Sequence, residues 1–206
     1  MIKTVSLDLH DFSVLRNGLD KLLTIKEHYP GFKVSLFTIP FDYDMEASMQ
    51  RLLRDKALKE VHKCREWMQF IPHGATHMPR EFEKCDRWTM KMYLDHVEDE
   101  FAKDDLKIEK GFCAPYWLWN KDVVDVLDEY GWWGAIDRNQ PDMLKTKKTY
   151  TYTHSIDEPF WQSTNETVNL HGHMGAPSSN AIGDCLLNIM KLPEDVEWKF
   201  VSEFVV

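Results

Sequence analysis

Two histidines stand four residues apart in Ile71-Pro-His-Gly-Ala-Thr-His77, with Pro79 just beyond. On a helix that spacing would stack both imidazoles on one face, but Pro72, Gly74 and Pro79 are breakers, so a loop or a frayed first turn is expected. The rings then need another reason to converge, and a metal ion is one. Other reactive side chains stand in similar settings: His10-Asp11, Cys113-Ala-Pro115-Tyr116-Trp117, Asp137 and His171-Gly-His173. One Asp and two His suit Zn²⁺ or a similar divalent ion, because three protein ligands at about 2.0–2.2 Å leave a position for water. Such an ion acidifies its water and polarises a carbonyl, so hydrolysis of an amide or ester is the natural chemistry.

Each group also has an ordinary explanation. Asp11 before Phe12-Ser13 can close a turn, a short His spacing arises often by chance, and His171 and His173 can be one face of a strand. Trp117, Trp119, Trp132 and Trp133 suit a core or a barrel rim. His28, His62, His96 and His154 fall on expected helices or surface turns and receive no role. Joint placement is what distinguishes the first set.

That placement depends on the elements. Val5, Leu7 and Leu9 alternate with Ser6, Asp8 and His10, the pattern of a strand with one apolar and one polar face. Leu15, Leu19, Leu22 and Leu23 follow at helical spacing, and 32–37 is a second strand behind the Pro30-Gly31 turn. Met49, Leu52, Leu53, Ala57 and Val61 make a helical stripe, 67–71 a strand, and Phe82, Cys85, Trp88 and Met92 another stripe. Residues 107–113 read as a strand; Asn120 can cap a helix carrying Val123, Val124, Leu127 and Tyr130, which Gly131 stops. Strands at 132–136, 149–154, 167–170 and 197–206 and a helix at 182–190 complete the chain. Strand and helix alternate regularly, which predicts a parallel sheet or an α/β barrel, and the reactive residues all fall at C-terminal strand ends. Those ends form one mouth in such folds.

Composition narrows the class. The 206 residues, 43% apolar and 29% charged, suit one soluble domain spanning 1–206, and a net charge of -9 disfavours binding to nucleic acid. The first residues lack a signal-peptide core and no apolar run would cross a bilayer, so a cytoplasmic protein with no membrane partner is expected. Cys64, Cys85, Cys113 and Cys185 form no Cys-x-x-Cys pair and read as free buried thiols.

Together these residues resemble the metal-dependent polysaccharide deacetylases, also called carbohydrate esterase family four and including chitooligosaccharide deacetylase-like proteins. The family's first motif ends a strand with two acidic residues, a catalytic base and then a metal ligand; here His10-Asp11 stands in that place. Its His-x-x-x-His motif matches His73-Gly-Ala-Thr-His77 without a gap. Its Arg-x-Pro loop, which lines the groove, resembles Cys113-Ala114-Pro115-Tyr116-Trp117, with Cys113 where Arg is usual. Trp133-Gly-Ala-Ile-Asp137 resembles the fourth motif, and Leu170-His171 the fifth, whose His acts as acid.

The resemblance implies a distorted, incomplete (β/α)7 barrel. It also implies removal of N-acetyl or O-acetyl groups from an N-acetylated carbohydrate, with Zn²⁺ or else Co²⁺, Mn²⁺ or Ni²⁺ on Asp11, His73 and His77. His171 is then the general acid and Asp8 or His10 the base, with Pro115, Tyr116, Trp117, Asp137 and His173 around the substrate. Asp8 and His10 share a strand face, so Asp8 is expected to orient the His10 ring and raise its pKa. A phage-encoded or cytosolic relative acting on a sugar intermediate would need no leader. The His10 and Cys113 departures admit a catalytically silent carbohydrate-binding protein on the same fold, and related barrels admit an amidohydrolase of a nucleobase or cyclic imide. Substrate identity and oligomeric state are left open by the sequence.

Overall fold

The computed structural model describes residues 1–15, 18–40, 47–175 and 178–206, with backbone only for 47–52. Its elements in chain order are β1 (Thr4–Phe12), α1 (Leu19–His28), β2 (Val34–Thr38), α2 (Ala47–Cys64), β3 (Met68–Pro72), α3 (Arg87–Lys103) and β4 (Gly111–Phe112). There follow α4 (Lys121–Tyr130), β5 (Trp133–Ala135), β6 (Thr149–Tyr150), β7 (His154–Ser155), β8 (Thr167–His173), α5 (Ile182–Ile189) and β9 (Glu197–Lys199). Every strand pair is parallel. One sheet runs β3-β2-β1-β8-β7, with β9 also on β1, and a second runs β4-β5-β6. A bridge from Phe70 to Ile108 and a bond from Cys113 N–H to the Pro72 carbonyl tie β3 to the chain on either side of β4. The expected α/β class is present, with all C-terminal strand ends turned one way.

Strand β1 sits at the centre of the larger sheet, and both of its faces are buried. Val5, Leu7 and Leu9 enter the main core, while Ser6 and Asp8 have no exposed surface and His10 retains 2%. Burial of polar groups is costly unless they are paired. Ser6 Oγ accordingly donates to Asn169 Oδ1 on β8 at 2.9 Å.

Several boundaries differ from the sequence pattern for local reasons. Residues 107–113 yield only β4, because Gly111 N–H bonds back to the Glu109 carbonyl and a tight turn replaces the ladder. Helix α3 begins at Arg87, where Asp86 accepts from Thr89 N–H at 2.7 Å, so Phe82 and Cys85 precede it. Its buried stripe is Met90, Leu94, Val97 and Phe101, and Trp88 and Met92 point outward. The closing strand stops at Lys199, and the chain turns through Val201–Phe204 before Val206 pairs with Thr149. The expected strand over 149–154 divides into β6 and β7.

Helix α4 follows its capping signals: Asn120 Oδ1 accepts from Val123 N–H at 3.1 Å, and Gly131 leaves the helix at φ 73°. Of the stripe on α2, Met49 and Leu52 have side chains outside the described residues. All four cysteines are free and buried. No helix among the described residues is long and apolar enough to cross a membrane.

Candidate metal centre and active site

Asp11, His73 and His77 meet where β1 and β3 end. Asp11 Oδ1 lies 2.8 Å from His77 Nε2 and 3.4 Å from His73 Nε2. The His73 Nδ1–H donates to the Cys113 carbonyl at 2.9 Å, so the neutral ring turns a lone pair, at Nε2, toward the Asp11 carboxylate. Two acceptors therefore face each other. Asp11 Oδ1 is buried and accepts no hydrogen bond of good geometry. One ligand atom from each of the three side chains lies within 4.8 Å of the others. A cation resolves this arrangement, and these residues fit the divalent ion that the motif resemblance implies.

Electrostatics agree. Burial by itself would raise the Asp11 carboxyl; donation and charge from protonated His73 and His77 rings would reverse this and hold it well below the usual carboxylate range, a part that a cation plays when the rings are neutral. Burial lowers His73, with Asp11 opposing, so the ring favours the neutral form that a metal ligand needs.

The backbone is bent to suit. Asp11 and His77 adopt φ near +60°, as do Tyr116 and Trp117; only Arg80 and Asp105 join them among described non-glycine residues. Positive φ in such residues costs about 1–3 kcal/mol each and tends to collect at functional sites. Gly74 permits the turn between the two histidines at φ +71°. Glu81 holds that turn from below, accepting from Ala75 and Thr76 N–H at 3.1 and 3.3 Å.

Behind the triad lies a second polar cluster. In the β1–β8 register Asp8 stands beside His171 and His10 beside His173. Asp8 Oδ1 therefore receives His171 Nδ1–H at 2.6 Å, and Asp8 Oδ2 receives the Tyr150 hydroxyl at 2.9 Å. The expected approach of Asp8 to His10 is present, Asp8 Oδ1 lying 3.5 Å from His10 Nε2, but no hydrogen bond joins them. Directly paired residues on adjacent strands lie about 4.8 Å apart, whereas alternate residues on one strand are separated by about 6.6 Å, so the cross-strand partner wins. The expected rise in the His10 pKa is also reversed. Burial, then the nearby His73, His171, His173 and His77 rings, push it well below its ordinary value.

Gly172 does not break β8. A Cβ there would lie 2.4 Å from Ile156 Cδ1, so glycine lets the strand pack while His171 and His173 share the opposite face, ring centroids 5.0 Å apart. His173 Nδ1–H donates to Asn180 Oδ1 at 2.7 Å.

Aromatic side chains wall the cluster. Trp117 lies 5.0 Å from the His10 ring and 5.6 Å from His171, Tyr116 lies 5.3 Å from His77, and Tyr152 stacks on His171 at 4.7 Å. Pro115 packs under Gly74. Asp137 stands one layer out: its Oδ2 accepts the Tyr152 hydroxyl at 3.0 Å, and Arg138 lies over the Tyr152 ring. Cys113 brings no charge to the position where the resemblance expects Arg, because burial and then Asp8 and Asp11 raise its thiol well above the usual range. A cavity of about 630 Å³ lined by Arg65, Gln69, Lys107, Glu109 and Phe200 lies at the other ends of the strands, away from these groups.

All eleven residues singled out from the sequence thus fall in or beside one region. Tyr150, Tyr152 and Glu81 were not singled out. Period-two alternation over 149–154 places both tyrosines on one face, which was a usable signal; Glu81 offered none.

No protein-family model matches the chain, and no curated protein matches it in sequence. Solved structures do. A carbohydrate esterase family 4 pseudoenzyme from Bacillus anthracis superposes at TM-score 0.63 and 16% identity over 98% of this chain and 65% of its own. A mutant of that pseudoenzyme, described as having restored enzymatic activity, superposes at 0.61 with 16% identity, over 98% of this chain and 67% of its own.

The chain has the polysaccharide deacetylase fold. The chitin deacetylase of the fungal pathogen Colletotrichum lindemuthianum shares that fold at TM-score 0.60 and 12% identity, over 98% of this chain and 89% of its own. A peptidoglycan N-acetylglucosamine deacetylase bound to an N-oxidanyl-benzamide gives 0.64 at 12%, over 97% and 86%. The Bacillus anthracis pseudoenzyme is longer, and this chain spans 65% of it. In the deacetylase fold the strand ends that carry Asp11, His73 and His77 are where such α/β folds build their sites.

Proposed function

We propose that the chain is a metal-dependent hydrolase that removes acetyl groups from an N-acetylated carbohydrate, with one catalytic unit spanning 1–206. The observation that carries this reading is the unpaired Asp11 Oδ1 facing the His73 Nε2 lone pair beside His77. These three residues would hold the ion, and Zn²⁺ suits one carboxylate and two imidazoles, with Co²⁺, Mn²⁺ or Ni²⁺ as substitutes. When bound, the ion polarises an amide carbonyl and acidifies water.

The chain's own residues supply the rest. His171 is the acid: Asp8 fixes its Nδ1–H, stabilises the imidazolium, and leaves Nε2 to give a proton to the departing amine. Both Asp8 oxygens are engaged, so the base is His10, whose neutral ring carries an available lone pair. Tyr116, Trp117 and Tyr152 offer apolar walls for a sugar ring, Pro115 supports them, Asp137 positions Tyr152, and His173 flanks the acid.

A second reading, a silent carbohydrate-binding protein, is favoured by the uncharged Cys113 and by the likeness to a pseudoenzyme. Metal content and acetate release from N-acetylated chitooligosaccharides separate the two. The hydrolase reading expects bound metal and acetate release, with both lost in His77→Ala. Metal-loaded protein that binds the oligosaccharide without releasing acetate supports the second reading, and undiminished metal in His77→Ala overturns the ligand set.

A further inference from the structure

The region holds more donors than one ion can use. Five imidazoles (His10, His73, His77, His171, His173) and two carboxylates (Asp8, Asp11) stand in it, with the His10 ring 4.6 Å from His73, 4.6 Å from His171 and 5.6 Å from His173. A catalytic tetrahedral ion takes about three protein ligands. With Asp11, His73 and His77 so used, Asp8, His10 and His171 remain as a mutually close set, while His173, whose Nδ1 holds Asn180 and Ser178, stands outside it. Each of these three is 95% buried or more.

We infer that Asp8, His10 and His171 form a second divalent-cation site adjacent to the first. This rests on the metal-binding part of the proposed function. The independent observation is His10 Nε2: it is buried, it has no hydrogen-bond partner among the described residues, and it faces the Asp8 carboxylate at 3.5 Å. A buried nitrogen left without a partner is unfavourable and uncommon in folded chains. One ligand atom from each of the three side chains already lies within 4.8 Å of the others. Tetrahedral ligand atoms about 2.0–2.1 Å from an ion stand roughly 3.3 Å apart. The observed Asp8 to His10 and Asp8 to His171 separations, 3.5 and 2.6 Å, bracket that value.

One imidazole nitrogen on each ring and one carboxylate oxygen select a borderline ion such as Zn²⁺ or Co²⁺ over Mg²⁺ or Ca²⁺. As the ion enters, the hydrogen on His171 Nδ1 is exchanged through solvent for one on Nε2, the ring stays a neutral imidazole, and the Asp8–His171 hydrogen bond gives way to two metal bonds. Filling this site takes His171 out of proton transfer, so the one-ion form is the hydrolytic one and the two-ion form is silenced.

The test is stoichiometry. Metal-stripped full-length protein is dialysed against graded free Co²⁺, bound metal is counted per chain, and the Co²⁺ paramagnetic resonance signal reports whether two ions are neighbours. The expected result is two equivalents in the wild type, the second accompanied by loss of resonance intensity through spin coupling, and one in His10→Ala. His10→Gln, which keeps bulk in the buried position, serves if the alanine variant does not fold. A wild type that saturates at one equivalent, lost in His77→Ala, overturns this inference and leaves the proposed function standing. No bound metal at all overturns both, and two equivalents retained in folded His10 variants overturn the ligand assignment.

Discussion

Replacing Gly74 by alanine probes the turn between the two histidines. A Cβ at that position would lie 2.6 Å from Pro115 Cγ, 2.9 Å from Pro115 Cδ and 2.7 Å from Glu81 Oε2, on a residue at φ +71°. Carbon atoms in comfortable contact are about 3.5–4.0 Å apart, so the Pro115 ring must retreat by roughly 1 Å. Overpacking of this kind costs about 1–3 kcal/mol, and left-handed backbone costs alanine about 1–2 kcal/mol more. Alanine also stiffens the unfolded chain, which offsets about 0.4–1 kcal/mol. The net loss is about 1–4.5 kcal/mol, a drop in Tm of roughly 2–18 °C for a chain of this size.

Pro115 leads into Tyr116 and Trp117, and the turn sets His77 against Asp11, so metal affinity should fall together with stability. Urea unfolding of the metal-free protein reads the first effect and metal titration the second. Gly31→Ala is the control, since a Cβ there meets nothing within 4 Å and the backbone is not left-handed. Gly74→Ala within about 0.5 kcal/mol of wild type, with unchanged metal affinity, refutes the packing and strain account.

Two further outcomes follow from the buried polar groups. Tyr150→Phe keeps the ring but removes the hydroxyl that donates to Asp8 Oδ2, leaving a buried charged oxygen without that donor; a loss of about 1–3 kcal/mol in urea unfolding is expected, and no measurable loss would mean Asp8 is not held as described. Glu81→Gln tests a pH dependence: burial raises the folded Glu81 pKa against the pull of Ala75 and Thr76, so the native state binds a proton that the unfolded chain releases near its ordinary value of about 4.3. Glu81 therefore contributes stability at low pH that is lost as pH rises from that value through the raised one. The variant should gain on the wild type across this interval, and a difference of opposite slope would refute the assignment.

Much of this was legible from the chain alone because it depends on near neighbours. Period-two alternation marked β1, breakers at Pro72 and Gly74 turned His73 and His77 into a loop pair, and Asn120 and Gly131 bounded α4. Strand and helix alternation also placed Asp11, His73, His77, Asp137 and His171 at C-terminal strand ends, and a parallel sheet gathers those ends whatever its strand order. That the polar face of β1 is buried, by contrast, did not follow from its alternation. Burial of Ser6, Asp8 and His10 arises because neighbouring strands and loops close over it, which alternation cannot report.

Partner choice was decided by tertiary structure. Asp8 and His10 are two residues apart in sequence, yet Asp8 pairs with His171, 163 positions away, because the β1–β8 register sets them side by side. That register sets His10, His171 and His173 together and the end of β3 adds His73 and His77, so burial and mutual repulsion favour neutral His10 over the raised pKa expected of an isolated carboxylate–histidine pair. Residue types and spacing determined which groups were available for chemistry. Strand register and burial, both set by contacts between distant segments, decided which of them meet and in what charge state.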